Sequence, residues 1–555
     1  MVIKKGGVLV RFPIINKTIR QILAEKASEN SDKTLLKYYD KNISYGFIDQ
    51  HTNKVAQGLL KNGVKKGDHI AIILPNCPEY LYLIFAIAKI GAVGVPINTA
   101  AKGELLNYYI EQSDSKWIIV HQDFTESLQK SLENINRING YIVLEEETKR
   151  NVHSDSSCGF KKVIPYQSLE EHSCSDPVKV HVNPTDDFLI MYTSGTTGRS
   201  KGVVLPQAHS INFGQNAVKN YGYNESDIMY TCLPLFHSNA LFASFFSAFM
   251  ANGTVVLSSR FSASKFWDEI VATGATQFNS LGAMTNFIIK TFDEKRHSKH
   301  CVRQCMIVPS LSTEMAHFFE KRFKIKITSL FAMTENFPIT VYGPTDPIEK
   351  IESAGKATEY ATVRVVDANG SLLPPGKVGE IIYRPIDNGI MMSCYYKMPK
   401  ETIKTVADGW YYTGDLGFMD KDGYLYFVDR KKEAIRRRGE NISAYELEMI
   451  LSKHEKIIEV AAIPVPSEFS EDEVMVYVVL KDGIEMKPED LIYYCKEVMP
   501  YYMVPRYVEF VGKLPKTPTE KIEKYKLISY GKENIDVIWD REKHGIEIKR
   551  DPPSQ

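Results

Sequence analysis

Residues 188–206 (FLIMYTSGTTGRSKGVVLP) place a polar loop rich in hydroxyl groups, glycine and positive charge between two apolar segments. Glycines let successive backbone N–H groups turn toward an anion, and the Thr and Ser hydroxyls add further donors. Arg199 and Lys201 supply positive charge for a triphosphate. The pattern therefore predicts a flexible phosphate-binding loop between two strands. Its candidate ligands are Thr193, Ser194, Gly195, Thr196, Thr197, Gly198 and Lys201.

Two other chemistries fit parts of the same loop less well. A Walker A motif needs Lys directly after its last glycine, whereas Arg199 and Ser200 follow Gly198 here. The run GRSKG matches the nucleophile elbow of serine hydrolases, but that elbow needs a strand before the serine and a helix after it. The residues after Gly202 (VVLP) are strand-like instead. A solvated hairpin loop would explain the glycines and serines, although not the concentration of donors and cations.

The composition is that of an ordinary globular protein, with 44% hydrophobic and 25% charged residues in a chain of 555. Lys plus Arg and Asp plus Glu are equal at 68 each, so the net charge gives no support to nucleic acid as the main partner. The 8 cysteines form no CxxC pair and no cluster at zinc-binding spacing. This pattern favours buried free thiols in a reducing cytoplasm.

The sequence shows no segment typical of a secretory signal or a membrane span. The most apolar segment, residues 79–98, is interrupted by Lys89 and Pro96. A bilayer span needs about 20 uninterrupted apolar residues. We therefore expect a buried helix followed by a strand in this segment, and a cytoplasmic protein.

Short strand-like runs alternate with helical patterns along most of the chain, for example HIAIILP, KWIIVH and GTVVLSS. This alternation predicts an α/β fold with mixed or parallel sheets. The character changes near residue 430, where a strand-like run is followed by a cluster of cations. Beyond it, helical and strand-like segments predict a compact α+β unit. We therefore expect a large N-terminal domain at 1–430, a small C-terminal domain at 433–540 and a tail at 541–555.

Further motifs accompany the polar loop in order along the chain. They are residues 233–240 (LPLFHSNA), 330–336 (LFAMTEN), 411–433 (YYTGDLGFMDKDGYLYFVDRKKE), 438–448 (RGENISAYELE) and 515–524 (PKTPTEKIEK). Together with the loop, this series resembles the AMP-forming acyl-CoA synthetases, which share a superfamily with adenylation domains and luciferases. The resemblance covers nearly the whole chain. It implies a β-barrel-like subdomain within the large domain and a small, mobile domain that acts as a lid.

The resemblance implies a ligase reaction in two steps. A carboxylic acid and ATP give acyl-AMP and pyrophosphate, and CoA then gives acyl-CoA and AMP. The first step brings anions together, so the site must supply positive charge and hydrogen-bond donors at the phosphates. The implied partners are a small carboxylic acid, ATP and CoA, and the implied cofactor is Mg²⁺. Monomer and homodimer both stay open.

The resemblance also assigns phosphate-binding roles to particular residues. The loop 193–201 would close over the β- and γ-phosphates, and Thr334 would donate to the α-phosphate. Glu335 would help to hold Mg²⁺, a hard cation that prefers oxygen ligands. Lys521 matches the lysine that steadies the attacking carboxylate and the α-phosphate. Glu520, which stands where the family usually has Gly, could tune or weaken that lysine.

The nucleoside would be held by residues of other motifs. Phe331 would supply an aromatic face for adenine where the family usually has Tyr, and Ala332 replaces a usual Gly. Asp415 would accept the ribose hydroxyls, and Arg430 would reach the sugar or a phosphate. Lys432 matches the hinge about which the small domain swings between the two steps.

The second step would use a tunnel for the pantetheine thiol, lined by Arg438, Gly439 and Glu440. Arg438 replaces a usual Gly, so its side chain would either narrow the tunnel or contact a CoA phosphate. His237 resembles the residue at the junction of the acyl pocket and the tunnel, where it could gate access. A core histidine satisfied by its neighbours is the alternative interpretation.

The identity of the acid is the least determined feature. Residues 306–336 lack the usual Gly-Gly-Ala-Pro start of the adenine loop, which makes the sequence most similar to the carnitine/crotonobetaine–CoA ligase branch. A short- or medium-chain acid is the other candidate. The acyl pocket is expected to draw on His237, residues 281–284, Pro309 and residues 337–339.

Two alternatives to an acid–CoA ligase stay open. One is an adenylating enzyme that passes its acyl group to a carrier protein or another acceptor. The other is a non-catalytic relative that binds nucleotide, which the departures at Ala332, Arg438 and Glu520 suggest.

Overall fold

The computed structural model describes residues 15–132, 137–145, 162–171, 174–193, 199–281, 283–430, 434–467, 471–481, 483–516 and 522–548. Within these ranges, strands and helices alternate along the first three quarters of the chain, and a smaller α+β unit follows. The predicted α/β class and the division into a large and a small domain are therefore confirmed.

Most strands are short and rich in Val, Ile, Tyr and Thr, the residue types that favour a pleated, buried surface. In chain order they are β1 (Thr34–Tyr38), β2 (Lys41–Ser44), β3 (His69–Ile73), β4 (Val93–Pro96), β5 (Trp117–His121), β6 (Gly140–Leu144), β7 (Val163–Pro165), β8 (Asp187–Thr193), β9 (Lys201–Pro206), β10 (Ile228–Thr231), β11 (Thr254–Leu257), β12 (Gln277–Leu281), β13 (Gln304–Val308), β14 (Lys326–Phe331), β15 (Thr340–Tyr342), β16 (Lys356–Ala357), β17 (Ala361–Val366), β18 (Gly379–Pro385), β19 (Cys394–Tyr395), β20 (Val406–Ala407), β21 (Trp410–Met419), β22 (Leu425–Arg430), β23 (Ala434–Arg437), β24 (Glu440–Ser443), β25 (Ile457–Pro466), β26 (Asp472–Leu480), β27 (Tyr507–Phe510) and β28 (Trp539–Asp540).

Several helices begin at residues that cap the free N–H groups of the first turn, as Thr18 does for the first helix and Ser443 for the helix at Ala444. In chain order the helices are α1 (Ile19–Glu29), α2 (Tyr45–Lys61), α3 (Pro78–Ile90), α4 (Gly103–Gln112), α5 (Thr125–Ser131), α6 (Ser168–Glu171), α7 (Gln207–Tyr221), α8 (Ser247–Met250), α9 (Phe266–Thr273), α10 (Ala283–Thr291), α11 (Glu294–His297), α12 (Thr313–Phe323), α13 (Pro399–Thr405), α14 (Ala444–Leu451), α15 (Pro488–Val498) and α16 (Lys524–Asn534). A π-helix, Asn239–Phe246, precedes α8.

Sheet A contains the two strands that flank the polar loop. Its strand order is β19-β9-β8-β4-β3-β5-β6-β7. The strands from β8 to β7 in this order are parallel neighbours, whereas β8 and β9 are antiparallel. The loop therefore connects two adjacent strands, as the sequence predicts.

Sheet B follows the order β16-β15-β14-β13-β12-β10-β11-β1-β2. Its strands from β14 to β1 are parallel neighbours, so their carboxyl ends lie at the same edge of the sheet. In open α/β sheets, ligands usually bind at this edge.

One apolar core joins sheets A and B, and α3 is buried almost throughout within it. The expected buried helix and following strand are thus confirmed as α3 and β4. The charge of Lys89 at the end of α3 is satisfied internally, because its ammonium lies 2.7 Å from Asp49 Oδ1 and 2.7 Å from Asn53 Oδ1. Among the described residues, no helix combines the length and apolarity that a membrane span requires.

Sheet C consists of β17-β18-β21-β20 with β22 paired to β21, and its pairs are antiparallel. It belongs to the large domain, and the β-barrel-like subdomain stays a prediction. Strand β21 carries Asp415.

The small unit after residue 430 contains the hairpin β23–β24, helices α14, α15 and α16, and sheet D in the order β25-β26-β27-β28. A core cluster connects it to sheet A through residues such as Ile190 and Leu447. The segment predicted as a tail packs at its beginning, since Arg541 is 1% exposed and its guanidinium donates to the Ile546 carbonyl at 2.6 Å. Residues 549–555 lie outside the described residues.

Cysteines of the described residues follow the expected burial only in part. Cys77, Cys232, Cys305 and Cys495 are buried free thiols. Cys174 and Cys301 are exposed, so the prediction of burial is wrong for them, because both lie in surface segments between elements.

Candidate active site

The carboxyl ends of the parallel strands of sheet B meet the hairpin β8–β9, strand β21 and the hairpin β23–β24 around one cavity of about 1140 Å³. The cavity wall contains many of the residues that the sequence singles out. They are Thr193, Lys201, His237, Phe331, Thr334, Glu335, Asp415, Gly439 and Glu440.

Strands β8 and β9 hold the two ends of the predicted phosphate loop. Thr193 and Lys201 lie directly opposite each other in the ladder. The Lys201 ammonium lies 4.6 Å from the centre of the Tyr395 ring and 3.4 Å from Glu401 Oε2. The central loop residues lie outside the described residues, namely Ser194, Gly195, Thr196, Thr197 and Gly198.

Arg199 takes a position that the sequence does not predict. Its guanidinium lies 4.9 Å from the centre of the Tyr108 ring and 3.4 Å from Glu104 Oε1, both on α4. An aromatic face and a carboxylate both attract the planar cation. Arg199 is therefore engaged with α4, whereas Lys201 lines the cavity.

A tight turn after β14 presents Thr334 and Glu335 to the cavity. Asn336 closes this turn, since its Oδ1 accepts from the Met333 N–H at 2.7 Å and its own N–H donates to the Met333 carbonyl at 3.2 Å. Asn is common in turns because its side chain reaches the nearby backbone. Residues 334–336 (TEN) therefore form a turn through Asn336 and present the side chains of Thr334 and Glu335 to the cavity.

Tyr395 connects two of the predicted site residues. Its hydroxyl donates to Glu335 Oε1 at 2.8 Å, and its ring faces the Lys201 ammonium. Burial and the neighbouring Glu335 carboxylate raise the pKa of Tyr395, so the hydroxyl stays a donor. No motif in the sequence included Tyr395, which lies on the edge strand β19. The aromatic pair in residues 393–397 (SCYYK) was the available sequence signal for it.

Asp415 lies at an irregularity of sheet C. Gly414 has a φ of 73°, a left-handed conformation that glycine adopts without strain. The Asp415 N–H donates to Thr413 Oγ1 at 3.1 Å, and the backbones of Asp415 and Arg430 are paired. The Asp415 side chain is thereby held in the cavity wall, and the side chain of Arg430 lies outside the described residues.

His237 meets Glu440 of the small domain at the cavity. Its Nε2 lies 3.0 Å from Glu440 Oε2, and Glu440 Oε1 also accepts from Asn98 Nδ2 at 3.1 Å. Burial acts to lower the pKa of His237, but the charge of Glu440 and the hydrogen bond to it outweigh that effect and raise the pKa. The charge of Glu440 therefore favours the protonated imidazolium form of His237.

The turn of the hairpin β23–β24 consists of Arg438 and Gly439, with φ of 54° and 80°. Two successive left-handed residues are typical of the tight hairpin turn that prefers Asn-Gly. Arg438 holds this conformation with some backbone strain because it carries a Cβ. Gly439 lines the cavity, whereas Arg438 is exposed and does not narrow it.

Glu446 of α14 makes a further contact between the small and large domains. Its Oε1 accepts from the Ser200 N–H at 2.6 Å, immediately after the phosphate loop. Glu446 is 7% exposed, and burial raises the pKa of its carboxyl although the Ser200 N–H acts in the opposite direction. The sequence placed Glu446 within a motif but gave it no role.

Lys521, Glu520 and Lys432 lie outside the described residues, so their roles stay predictions. Phe337 and Ile339, which are expected in the acyl pocket, are fully buried and are not among the residues that line this cavity. The reason is that Phe337 packs edge-on against Tyr360 in the core, 5.2 Å between ring centres.

Glu335 fits a magnesium ligand. The described residues contain no group of three or more His, Cys, Asp or Glu that could hold a metal on its own. Mg²⁺ commonly takes one or two carboxylates and completes its shell with substrate phosphates and water. A single carboxylate oriented by Tyr395 agrees with that donor set.

Known proteins match the chain over most of its length. Residues 23–396 match the AMP-binding enzyme family, and residues 446–521 match the AMP-binding enzyme C-terminal domain. A crotonobetaine/carnitine–CoA ligase of Citrobacter koseri is 28% identical over 521 residues, which cover 92% of this chain and 99% of that protein.

Two solved structures show the same fold. The o-succinylbenzoate CoA synthetase (MenE) from Bacillus subtilis, bound with its product analogue OSB-NCoA, is 23% identical with a TM-score of 0.78, covering 92% of this chain and 98% of that chain. The amide bond synthetase McbA from Marinactinospora thermotolerans is 22% identical with a TM-score of 0.77, covering 93% of this chain and 99% of that chain. The small domain is included in both matches.

Proposed function

Because the chain belongs to the AMP-binding enzyme family, we propose that it is an ATP-dependent ligase that joins a carboxylic acid to CoA through an acyl-adenylate. The observation that carries this proposal is the composition of one cavity wall. Thr334, Glu335 and Asp415 of the large domain share it with Gly439 and Glu440 of the small domain. Residues suited to ATP and residues suited to the incoming thiol thus face the same space. The name of the Citrobacter koseri relative adds support.

In the first step, an oxygen of the substrate carboxylate attacks the α-phosphorus of ATP. The bond to the β-phosphate breaks, and pyrophosphate leaves with the electron pair. Thr334 donates to the α-phosphate, and Lys201 offsets the charge of the departing phosphates. Charge and donors that are already in place lower the barrier because no reorganisation is needed when the negative charge develops. Asp415 accepts from the ribose hydroxyls, and Phe331 packs against adenine.

Glu335 would hold Mg²⁺ together with the phosphates, and the bound ion would neutralise phosphate charge and orient the leaving group. Lys521 and Arg430 would add positive charge during this step, and Lys432 would be the hinge of the small domain. These three roles rest on the sequence motifs.

In the second step, the CoA thiolate attacks the acyl carbonyl carbon after its proton has passed to solvent. The bond between that carbon and the AMP oxygen breaks, and AMP leaves with the electron pair. The imidazolium of His237 favours the thiolate over the thiol by its charge. Glu440 orients His237 and keeps it protonated, and Gly439 leaves room beside the pair.

A second cleft, of about 1450 Å³, supplies a route for CoA. It lies between the large and small domains, and Phe236 belongs to both its wall and that of the first cavity. We place the nucleotide end of CoA in this cleft, with the pantetheine passing Phe236 toward His237. The cleft wall contains both carboxylates and cations, and the cations would meet the CoA phosphates; they are Lys41, Lys102, Lys130, Arg260 and Lys453. Lys130 and Lys453 are paired with Glu126 and Glu104 of the same wall.

The acid is either a small trimethylammonium acid, as the relative's name suggests, or a short- or medium-chain acid. The acceptor is CoA in this proposal. The TM-scores of 0.78 to a CoA synthetase and 0.77 to an amide bond synthetase show that the fold alone does not select the acceptor. A cytoplasmic location stays a prediction.

The proposal is tested with a panel of carboxylic acids, ATP, Mg²⁺ and CoA, with thioesters read by mass spectrometry and pyrophosphate release measured in parallel. The panel contains carnitine, crotonobetaine, short and medium fatty acids, and aryl acids. We expect thioester formation with at least one class. Pyrophosphate release without any thioester would indicate another acceptor, and neither product from any acid would contradict the proposal.

Lys521→Ala separates the two steps. We expect a severe loss of pyrophosphate release with thioester formation from supplied acyl-adenylate largely retained, because the lysine acts on the attacking carboxylate. Equal loss of both steps would reject this role.

A further inference from the structure

We propose that Asn239 selects acids whose chain carries a neutral hydrogen-bond acceptor, such as a ketone, ester or amide oxygen, over plain alkyl acids and over trimethylammonium acids. This inference rests on the proposed function and names the substrate class of the same cavity. Asn239 is the first residue of the π-helix and lines the same cavity as His237. π-Helical turns are rare and are frequent at functional sites.

A hydrogen-bond network fixes which atom Asn239 offers to the cavity. The Ser244 hydroxyl donates its single proton to the Asn239 backbone carbonyl at 3.3 Å, so Ser244 Oγ is left as an acceptor. Asn279 Nδ2 lies 3.1 Å from that oxygen and must be the donor of this contact. The same Nδ2 donates to Asn239 Oδ1 at 2.9 Å.

The opposite orientation of the Asn279 amide would be less favourable. It would lose the two bonds that Asn279 Nδ2 makes to Asn239 Oδ1 and Ser244 Oγ. It would also place the NH₂ group, with two protons, at the buried position where the present orientation leaves only the Asn279 Oδ1 oxygen without a partner among the described residues. An unpaired buried donor costs more than a neutral hydrogen bond contributes. The network therefore assigns the oxygen of Asn239 to Asn279 and leaves the Asn239 NH₂ group for the cavity.

The Asn239 side chain is held rigidly by its surroundings. The π-helix is buried, and Ser247 Oγ donates to the Phe242 carbonyl at 3.0 Å, which satisfies a backbone group within it. Asn279 is 3% exposed on strand β12. Asn239 Nδ2 itself has no partner among the residues that the structure describes.

The chemistry around Asn239 decides which acid suits it. The same cavity wall includes the apolar residues Phe213, Ala243 and Leu281. An alkyl chain placed there would leave the NH₂ group without an acceptor, whereas a carbonyl oxygen would satisfy it. A trimethylammonium group has no acceptor and brings positive charge to a donor. Glu440, which could balance that charge, already accepts from His237 and Asn98.

The test uses three acids with the same number of chain atoms: hexanoate, 5-oxohexanoate and 4-(trimethylammonio)butanoate, together with the set one methylene longer. For the wild-type protein we expect kcat/KM for acid-dependent pyrophosphate release to be about tenfold higher with the oxo acid than with the alkyl acid, the size of one neutral hydrogen bond. Asn239→Leu should abolish this preference. Asn239→Asp keeps an oxygen for Asn279 and replaces the donor by a carboxylate, so it should favour the trimethylammonium acid.

Binding is measured as well as turnover, because a catalytic failure must not be mistaken for a failure of selectivity. The probes are acylsulfamoyl adenosines that carry the three acyl groups, and their Kd values are measured by calorimetry. Thermal unfolding confirms that both variants are folded. Binding selectivity without turnover would support Asn239 and contradict the proposed function. Turnover with an oxo-to-alkyl ratio that Asn239→Leu leaves unchanged, or a wild-type preference for the trimethylammonium acid, would overturn the inference and leave the proposed function standing.

Discussion

At the scale of single residues, the chemistry depends on pairs of side chains that hold each other in place. His237 and Glu440 lie 3.0 Å apart, and the Tyr395 hydroxyl lies 2.8 Å from Glu335. In each pair, one member is proposed to act on substrate or metal, and the partner comes from a distant part of the chain. Such partners fix the orientation and the charge of the functional group.

The His237–Glu440 pair gives a pH dependence with a defined sign. Glu440→Gln removes the charge that raises the pKa of His237 and leaves the burial that lowers it, so we expect the pKa to fall. In the wild-type protein His237 carries its charge below the raised pKa, and the ion pair is lost as the pH rises through that value; in the variant there is no ion pair at any pH. The measurement is an NMR titration of the His237 ring.

Asn98→Ala is the matched control for this titration. Asn98 also contacts Glu440, at 3.1 Å, but it carries no charge, so the pKa of His237 should stay raised. A His237 pKa that is the same in Glu440→Gln and in the wild-type protein would contradict the electrostatic account.

Tyr395→Phe tests the support of the proposed magnesium ligand. The variant keeps the ring that faces Lys201 and removes the hydroxyl that orients Glu335. Loss of a partner that orients a metal ligand commonly weakens metal affinity about tenfold or more. We expect a corresponding rise in the Mg²⁺ concentration needed for half-maximal pyrophosphate release.

Tyr396→Phe provides the neighbouring control. The Tyr396 hydroxyl donates to Asp114 Oδ2 at 2.9 Å, and the residue does not line the cavity. The Mg²⁺ concentration that Tyr396→Phe needs for half-maximal pyrophosphate release should match that of the wild-type protein. An equal effect of both substitutions would indicate general destabilisation.

The resemblance of the motifs to those of the AMP-forming acyl-CoA synthetases predicted the roles of Thr334, Glu335 and Asp415. The partners Tyr395 and Asn279 could not be predicted in this way. Their roles depend on contacts between residues 60 and 40 positions apart, which only the folded chain brings together.

At the scale of elements, the site forms where the parallel strands of sheet B end and the hairpin β8–β9 turns. Both features were predictable, because apolar runs of strand length alternate with helical patterns and bracket the polar loop. The π-helix was not. Its sequence, NALFASFF, looks like an ordinary buried helix. What distinguishes it is that Ser244 and Ser247 donate to carbonyls five residues earlier, at Asn239 and Phe242.

The left-handed turn at Arg438 and Gly439 predicts that a substitution of Gly439 changes the free energy of unfolding by a measurable amount. Gly439 has a φ of 80° and nothing within 4 Å of an added Cβ. Gly439→Ala should therefore destabilise the protein by backbone strain alone, by about 1–2 kcal/mol. Urea unfolding of the two proteins measures the difference.

Gly512→Ala is the control, because Gly512 also has open space around an added Cβ but does not require a left-handed backbone. Its effect should be close to zero or stabilising by up to about 1 kcal/mol. If the two variants unfolded at the same urea concentration, the strained turn would be refuted.

At the scale of the whole molecule, the small domain packs against the large one through polar contacts that surround the cavity. Glu440 reaches His237, and Glu446 reaches the Ser200 N–H at 2.6 Å. Farther out, the Lys102 ammonium donates to the Lys496 carbonyl at 2.6 Å. This arrangement directs the hairpin β23–β24 at the cavity, as the proposed thioester-forming step requires.

Glu446→Ala should weaken this arrangement. It removes a charge-assisted hydrogen bond and leaves the Ser200 N–H unpaired, which we expect to slow thioester formation from supplied acyl-adenylate about tenfold. Pyrophosphate release should change less. Glu446 contacts the backbone at the end of the phosphate loop, and it does not contact any residue that we propose as a ligand of the α-phosphate. Glu446→Gln keeps an acceptor oxygen, so its rate of thioester formation should lie between that of the wild-type protein and that of Glu446→Ala. A larger loss in pyrophosphate release than in thioester formation would contradict this role.

The central claim is that the carboxylate of the acid attacks the α-phosphorus of ATP in the cavity that Thr334, Glu335 and Asp415 line. The most direct measurement uses an acid labelled with ¹⁸O in its carboxyl group, followed by mass spectrometry of the nucleotide after thioester formation. We expect one labelled oxygen in AMP, because the oxygen that forms the bond to phosphorus stays there when the thiol takes the acyl group. Unlabelled AMP, or label in ADP or inorganic phosphate, would contradict the account.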